Sequence, residues 1–157
     1  MLFTGALTGR SPVDRGRAGT KHHLIVDAAG VPLLVTHTGA NRNDVTQRLA
    51  LVDGIGPIAA KRGRPRQRPD RVIADRGDDH DKHRRALWAR GVKPVIARRG
   101  TEHGSGLGRW RWVVERTFAW LHNFRRLRTR WERDPNIHTA FPTPGCAVIC
   151  WRYLTAF

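Results

Sequence analysis

Two acidic residues stand where carboxylates can do chemistry. Asp75 closes the β-rich run at 71–75 (RVIAD), directly before Arg76-Gly77. In α/β folds the carboxyl ends of strands open onto the ligand crevice, so an acid there suits metal binding. Taken alone, the same Asp reads first as a turn initiator. Glu115 lies forty positions later, inside RWRWVVERTFAWLHNF. At about 100° per residue, Arg111, Glu115 and His122 fall within an arc of roughly 40° on a helix. Such a face presents an acid flanked by two bases, next to the core and towards a cleft. The bland alternative is an i, i+4 surface pair between Arg111 and Glu115.

These residues need elements to position them. Residues 1–20 are rich in Gly and polar residues and read as irregular. Residues 21–27 (KHHLIVD) and 31–37 (VPLLVTH) are β-rich and flank Ala28-Ala29-Gly30, which predicts a hairpin. Val45, Leu49 and Val52 have helical spacing and stop at Gly54. The strand at 71–75 precedes a helix capped by Asp78 or Asp79, then a near-edge strand at 92–97 containing Pro94. Residues 100–108 form a glycine-rich loop. From Trp110, apolar residues recur at Val113, Val114, Thr117, Phe118, Leu121 and Phe124, the pattern of an amphipathic helix. Pro142, Pro144 and Gly145 precede the apolar piece Cys146 to Leu154. The order of elements is that of an α/β fold.

The chain has 157 residues, 29 Lys+Arg against 13 Asp+Glu, and a formal net charge of +16. Such a chain repels itself unless a polyanion covers it, and nucleic acid is the natural one. A basic ribosomal or nucleoid protein shares that balance but gives no role to an acid-bearing helix. No window approaches the ~18 consecutive apolar residues of a membrane span, and no secretory signal follows Met1. Two cysteines make no disulfide scaffold, and Cys146 and Cys150 suit apolar packing. The loop Lys61-Arg62-Gly63-Arg64-Pro65-Arg66, continued by Arg68, reads as a basic arm for phosphate contacts or the minor groove. Arg125, Arg126, Arg128 and Arg130 extend the positive surface, and Trp112 suits base stacking. His80 and His83 among Asp78, Asp79 and Asp81 have no second ligand pair at zinc-site spacing.

The segments SPVDRG, KHHLIVDAAGVPL, TGANRNDV, ADRGDDHDK, VKPVIARRG and RWRWVVERTFAWLHNFRRL resemble the DDE transposases of the insertion-sequence-five family. The helix motif of Arg, three residues, Glu, six residues and a base is met by Arg111, Glu115 and His122, with His in place of the usual Lys. The resemblance implies a ribonuclease-H-like domain, a mixed sheet flanked by helices, acting on the ends of a transposon in double-stranded DNA. It implies Mg²⁺, with Mn²⁺ as a substitute, held by three carboxylates, of which Asp75 is the second and Glu115 the third. Arg111 and His122 then contact phosphate or steer Glu115.

The family's first acid belongs to a strand ahead of the hairpin, which is missing here. Neither Asp14 nor Asp27 matches it. The expectation is therefore one incomplete catalytic domain over 1–157, with an irregular leader at 1–20, a remnant of the fold at 21–135 and an apolar segment at 136–157. Pro142, Pro144 and Gly145 are expected to interrupt the family's C-terminal helix. As a fragment the chain is expected to be inactive alone, cytoplasmic and nucleoid-associated in a bacterium. It could bind DNA, another copy of itself or full-length transposase, and interfere with the latter.

Overall fold

The computed structural model describes residues 7–59, 62–100, 108–132 and 134–156. In it the β-rich runs pair as expected. β1 (Gly9–Arg10), β2 (Ala18–Val26) and β3 (Pro32–Gly39) form an antiparallel sheet in that order. His22 lies opposite His37 and Leu24 opposite Val35, with an irregularity at Ile25/Val26. The leader is more ordered than its composition implies. Gly9 pairs with Gly19 and Arg10 with Ala18, and the turn between is closed by the Ser11 amide donating to the Arg17 carbonyl at 2.8 Å. Arg15 and Gly16 take the left-handed backbone (φ 48° and 70°) that this reversal requires.

The remaining elements are α1 (Arg48–Asp53), β4 (Arg71–Ala74), α2 (Asp81–Ala89), β5 (Lys93–Ile96), α3 (Gly108–His122), α4 (Arg125–Arg128), α5 (Pro135–Ala140) and α6 (Pro142–Thr155). β4 and β5 pair in parallel, Val72 opposite Pro94. The described strands thus form two sheets, each of a single sense, where a mixed sheet was expected. A mixed sheet needs a strand that pairs antiparallel on one side and parallel on the other, and no described strand does both. The expected loop at 100–108 lies mostly outside the described residues.

Two compact units divide the chain, Met1–Asn43 with Val113–Phe157, and Asp44–Trp112. In the first, Val113, Thr117 and Leu121 form the buried stripe of α3. Thr117 Oγ1 donates to the Gly30 carbonyl at 2.7 Å, and the Arg116 guanidinium donates to the carbonyl of Ala29. The hairpin turn is thereby locked onto the helix. Gly30 has φ 84°, and a methyl there would lie 2.9 Å from the Arg116 guanidinium and 3.1 Å from Thr117 Oγ1. Below this joint, Leu121, Leu127 and Ile149 form a core with Leu24, Trp120, Phe124, Phe141 and Cys146.

The expected interruption of the C-terminal helix falls ahead of Pro142 and not within the run of Pro142, Pro144 and Gly145. α6 runs unbroken from Pro142 to Thr155, because Pro142 and Pro144 fall in its first turn, where backbone amides have no helical partner to lose. Gly145 is buried and lies so near Leu127 that a methyl would come within 2.9 Å of its Cδ1. The chain breaks instead at Phe141, where α5 ends. No described helix is long and apolar enough to cross a membrane.

In the second unit, Leu51, Val52, Ile55, Val72, Leu87, Val92 and Ile96 are buried. Arg90 grips both carboxylate oxygens of Asp53, at 2.7 and 2.8 Å, tying the end of α2 to the end of α1. This charged hydrogen bond holds the Asp53 carboxyl below its usual range.

A histidine cluster lies in the first unit. The His22 and His37 rings meet edge-on at 4.6 Å between centroids, and His138 from α5 sits 5.7 and 5.4 Å from them. Burial first, then the neighbouring imidazoles, pushes His22 down to about 3 and His37 to about 4. Burial and Arg130 lower His138, against the opposing pull of Glu132, while His23 and His122 bear on the strand imidazoles.

Three measurements follow from this packing. Thr117→Val keeps shape but strands the Gly30 carbonyl, and is expected to cost about 1–3 kcal/mol in denaturant unfolding. Gly30→Ala, strained by both its φ and its neighbours, is expected to destabilise by more than about 1 kcal/mol. Unfolded histidines take up protons near pH 6.5, whereas the folded His22 and His37 resist until about 3 and 4. Stability is therefore full above pH 6.5 and falls as pH drops towards 4, by about 2 kcal/mol or more between pH 7 and 5. His22→Phe should flatten that slope.

Candidate functional site

Asp75 sits just beyond β4, at the carboxyl end of the parallel pair, with its side chain 65% exposed. Its Oδ1 accepts from the Arg76 amide at 2.6 Å and caps the short 3-10 turn Arg76–Asp78. Its Oδ2 lies 3.7 Å from a guanidinium nitrogen of Arg111. The turn-initiating role is thus real, and it coexists with an ion pair to the first turns of α3.

The surroundings of Asp75 are braced by residues that the sequence placed elsewhere. Neither Asp78 nor Asp79 caps α2, whose N-cap is His80 without a side-chain hydrogen bond. Asp79 instead accepts from the Arg99 amide at 2.7 Å and from Arg84 Nε at 2.7 Å. Those bonds hold its carboxyl below the usual range. Arg84 also donates to the Ile96 carbonyl at 2.7 Å, and Arg99 to the Gly77 carbonyl at 2.6 Å. The loop after β4 is therefore fastened to the loop after β5. The cause is geometric: parallel strands end on the same side, so Asp79 after β4 meets Arg99 after β5, with Arg84 of α2 beside them.

Along α3, Arg111, Glu115 and His122 are all exposed, on the face turned away from Val113 and Thr117. The expected face exists, and it points to solvent at the margin of the apolar stripe. His122 reaches Phe118, with 6.2 Å between ring centroids. It also lines a cavity of about 10 Å³ together with His22, Val35 and Leu121. Trp112 is 51% exposed, as a stacking platform requires.

Of the basic arm, Lys61 lies outside the described residues, while Arg62, Arg64, Arg66 and Arg68 are exposed. Ile58 and Arg66 exchange backbone hydrogen bonds at 2.8 and 2.9 Å, closing the arm into a loop with Gly63 at φ 97°. Arg66 pairs with Asp70. On α4, Arg125 stacks over Trp131 at 5.5 Å, Arg126 pairs with Glu132 and lies over Phe141 at 5.4 Å, and Arg128 is exposed. Arg126 keeps its side chain 60% exposed while pairing with Glu132, and Arg62, Arg64, Arg68 and Arg128 are exposed as well.

Other carboxylates and thiols have local duties. Asp27 Oδ1 accepts from the amides of Ala29 and Val31, at 2.9 and 2.8 Å, which shapes the hairpin turn. Cys146 is half-buried in the core, and burial raises its thiol to about 11. The histidine cluster of His22, His37 and His138 was missed in the sequence. The hairpin register pairs His22 with His37, so the strand prediction held the signal for two of the three.

Comparison with known proteins places the chain in a family. The family described as Transposase DDE domain matches residues 4–141. A protein of Burkholderia cepacia named "Putative transposase for insertion sequence element IS402" is 62% identical over 147 residues, covering 94% of this chain and 70% of that protein. The like-named protein for insertion sequence element IS6501 of Brucella ovis is 29% identical over 140 residues, covering 85% of this chain and 98% of that one. No solved structure matches. The match over most of the chain and the identity to the first relative establish the family: the chain belongs to the DDE transposases.

Proposed function

We propose that this chain is a ribonuclease-H-like transposase domain of the insertion-sequence-five subgroup that holds double-stranded DNA at transposon ends. Asp75 and Glu115 serve as the second and third acids of its triad. The observation that carries this reading is Asp75 itself, an exposed carboxylate at the carboxyl end of β4, facing an arginine one turn ahead of Glu115. The donors suit Mg²⁺ or Mn²⁺. They are hard carboxylate oxygens, and Asp75 Oδ2 is 3.7 Å from Arg111, beyond hydrogen-bond distance. When bound, such a cation supplies Lewis acidity at a phosphoryl oxygen. Arg111 and His122, on the same face as Glu115, offer bases that contact phosphate or steer Glu115.

The chain alone is proposed to bind DNA without cutting it. Asp27 is committed to the hairpin turn, and Asp14 belongs to the reversal between β1 and β2, so neither replaces the first acid. Such a domain would interfere with a full-length transposase by occupying ends or subunits. DNA affinity is assigned to Arg62, Arg64, Arg66, Arg68, Arg125, Arg126 and Arg128, all exposed.

The test is nicking of supercoiled plasmid in Mg²⁺ or Mn²⁺ by the wild type, Glu115→Ala and Asp75→Asn. The expected result is no nicking by any of them, with salt-sensitive DNA binding in all three. Metal-dependent nicking that disappears in Glu115→Ala would overturn the proposed inactivity while supporting the assigned acids. Absence of DNA binding at low salt would overturn the reading as a whole. Arg64→Ala and Arg128→Ala are each expected to reduce the slope of log K against log salt by about 0.9.

A further inference from the structure

We propose that His22, His37 and His138 form a second metal site, for a transition ion of the Zn²⁺ class. It differs in residues and chemistry from the carboxylates Asp75 and Glu115. Register and capping build it. β2 and β3 set His22 and His37 directly opposite one another. α5 starts at Asp134, whose carboxylate accepts from the Asn136 amide at 2.8 Å, and this helix delivers His138 onto the pair. One ligand nitrogen from each ring lies within 4.8 Å of the other two. A tetrahedral site with bonds of about 2.0–2.1 Å needs about 3.3 Å between ligand atoms, within reach of small ring rotations.

The nitrogens concerned are buried. His22 Nε2 and His37 Nε2 have no hydrogen-bond partner, and His138 is 2% exposed. Buried imidazole nitrogens in that state are costly unless something fills the space between them. Three imidazoles select Zn²⁺, Ni²⁺ or Cu²⁺ over Mg²⁺, which prefers oxygen. Glu132 would supply the outer support once the ring turns, its buried Oε2 lying 3.7 Å from His138 Nδ1 and without a hydrogen bond. A carboxylate behind one ring nitrogen turns the other towards a metal. The opposing charge is Arg130, which is anchored to Thr20 Oγ1 at 2.7 Å and to the Glu132 carbonyl at 2.8 Å. Bound there, the ion would clip the hairpin to the C-terminal helices.

The test uses the untagged full chain, stripped with chelator. Zn²⁺ is titrated by calorimetry, and Co²⁺ is followed by its visible absorption. One equivalent is expected to bind with a dissociation constant of about 1 μM or tighter, to raise the unfolding midpoint, and to give Co²⁺ the intense bands of tetrahedral coordination. His37→Gln should weaken this binding by about 100-fold or more, and Glu132→Gln by about 10–100-fold. His80→Asn, at an exposed histidine, should leave it unchanged. His37 is not fully buried, so its variant keeps the test open if His138→Gln does not fold. Binding equal in wild type and His37→Gln, or no binding in the micromolar range, would overturn the site and leave a neutral, packed imidazole cluster.

Discussion

A single buried hydroxyl fixes the first unit. Thr117 sits fully buried in the stripe of α3 and donates to the carbonyl of Gly30, the turn residue whose left-handed backbone lets the hairpin approach. Burying a backbone carbonyl without a donor costs more than an ordinary contact returns, so turn and helix hold one another in place. The direction of α3 is set there. Since Val113, Thr117 and Leu121 must face inward, Arg111, Glu115 and His122 have to face out. The exposure of the acid-bearing face follows from what the opposite face buries.

The second unit solves a different problem. Its strands are four residues long and its charge is strongly positive, so apolar burial by Val72, Leu87, Val92 and Ile96 is supplemented by paired charges. Asp53 with Arg90, and Asp79 with Arg84 and Arg99, are two acids of the unit that hold elements together. Arginine suits this because its planar fork binds a carboxylate and a carbonyl at once, as Arg84 does. Basic residues left outside these pairs, such as Arg64 and Arg68, form the surface a polyanion would meet.

The hairpin, the strand before Asp75 and the long helix were legible because each has a strong local pattern. Short β-rich apolar runs bounded by turn residues mark the strands, and 3.6-residue spacing marks α3. Readings that relied on local composition alone went astray. Glycines made the leader look irregular, although Gly9 and Gly19 pair across a strand. Pro142, Pro144 and Gly145 suggested an interruption within their own run, although the break precedes them and they occupy the first turn of α6. Asp79 has the right spacing for a cap, yet it is recruited by Arg99 from the loop after β5, a contact across 20 positions that no local window contains. His138 meets the strand histidines for the same kind of reason, since only tertiary packing brings α5 to them.

The bond between Thr117 and Gly30 spans 87 positions, and the unit it closes is split between residues 1–43 and 113–157. The unit at 44–112 is continuous. During synthesis from the amino terminus, the continuous unit can complete its contacts once residue 112 has emerged. The hairpin must wait for α3 to α6 before its inner face has anything to pack against. The order of assembly is thus written into the connectivity. The segment bearing Asp75 lies in the continuous unit, whereas Glu115 belongs to the unit that waits for the carboxyl-terminal helices.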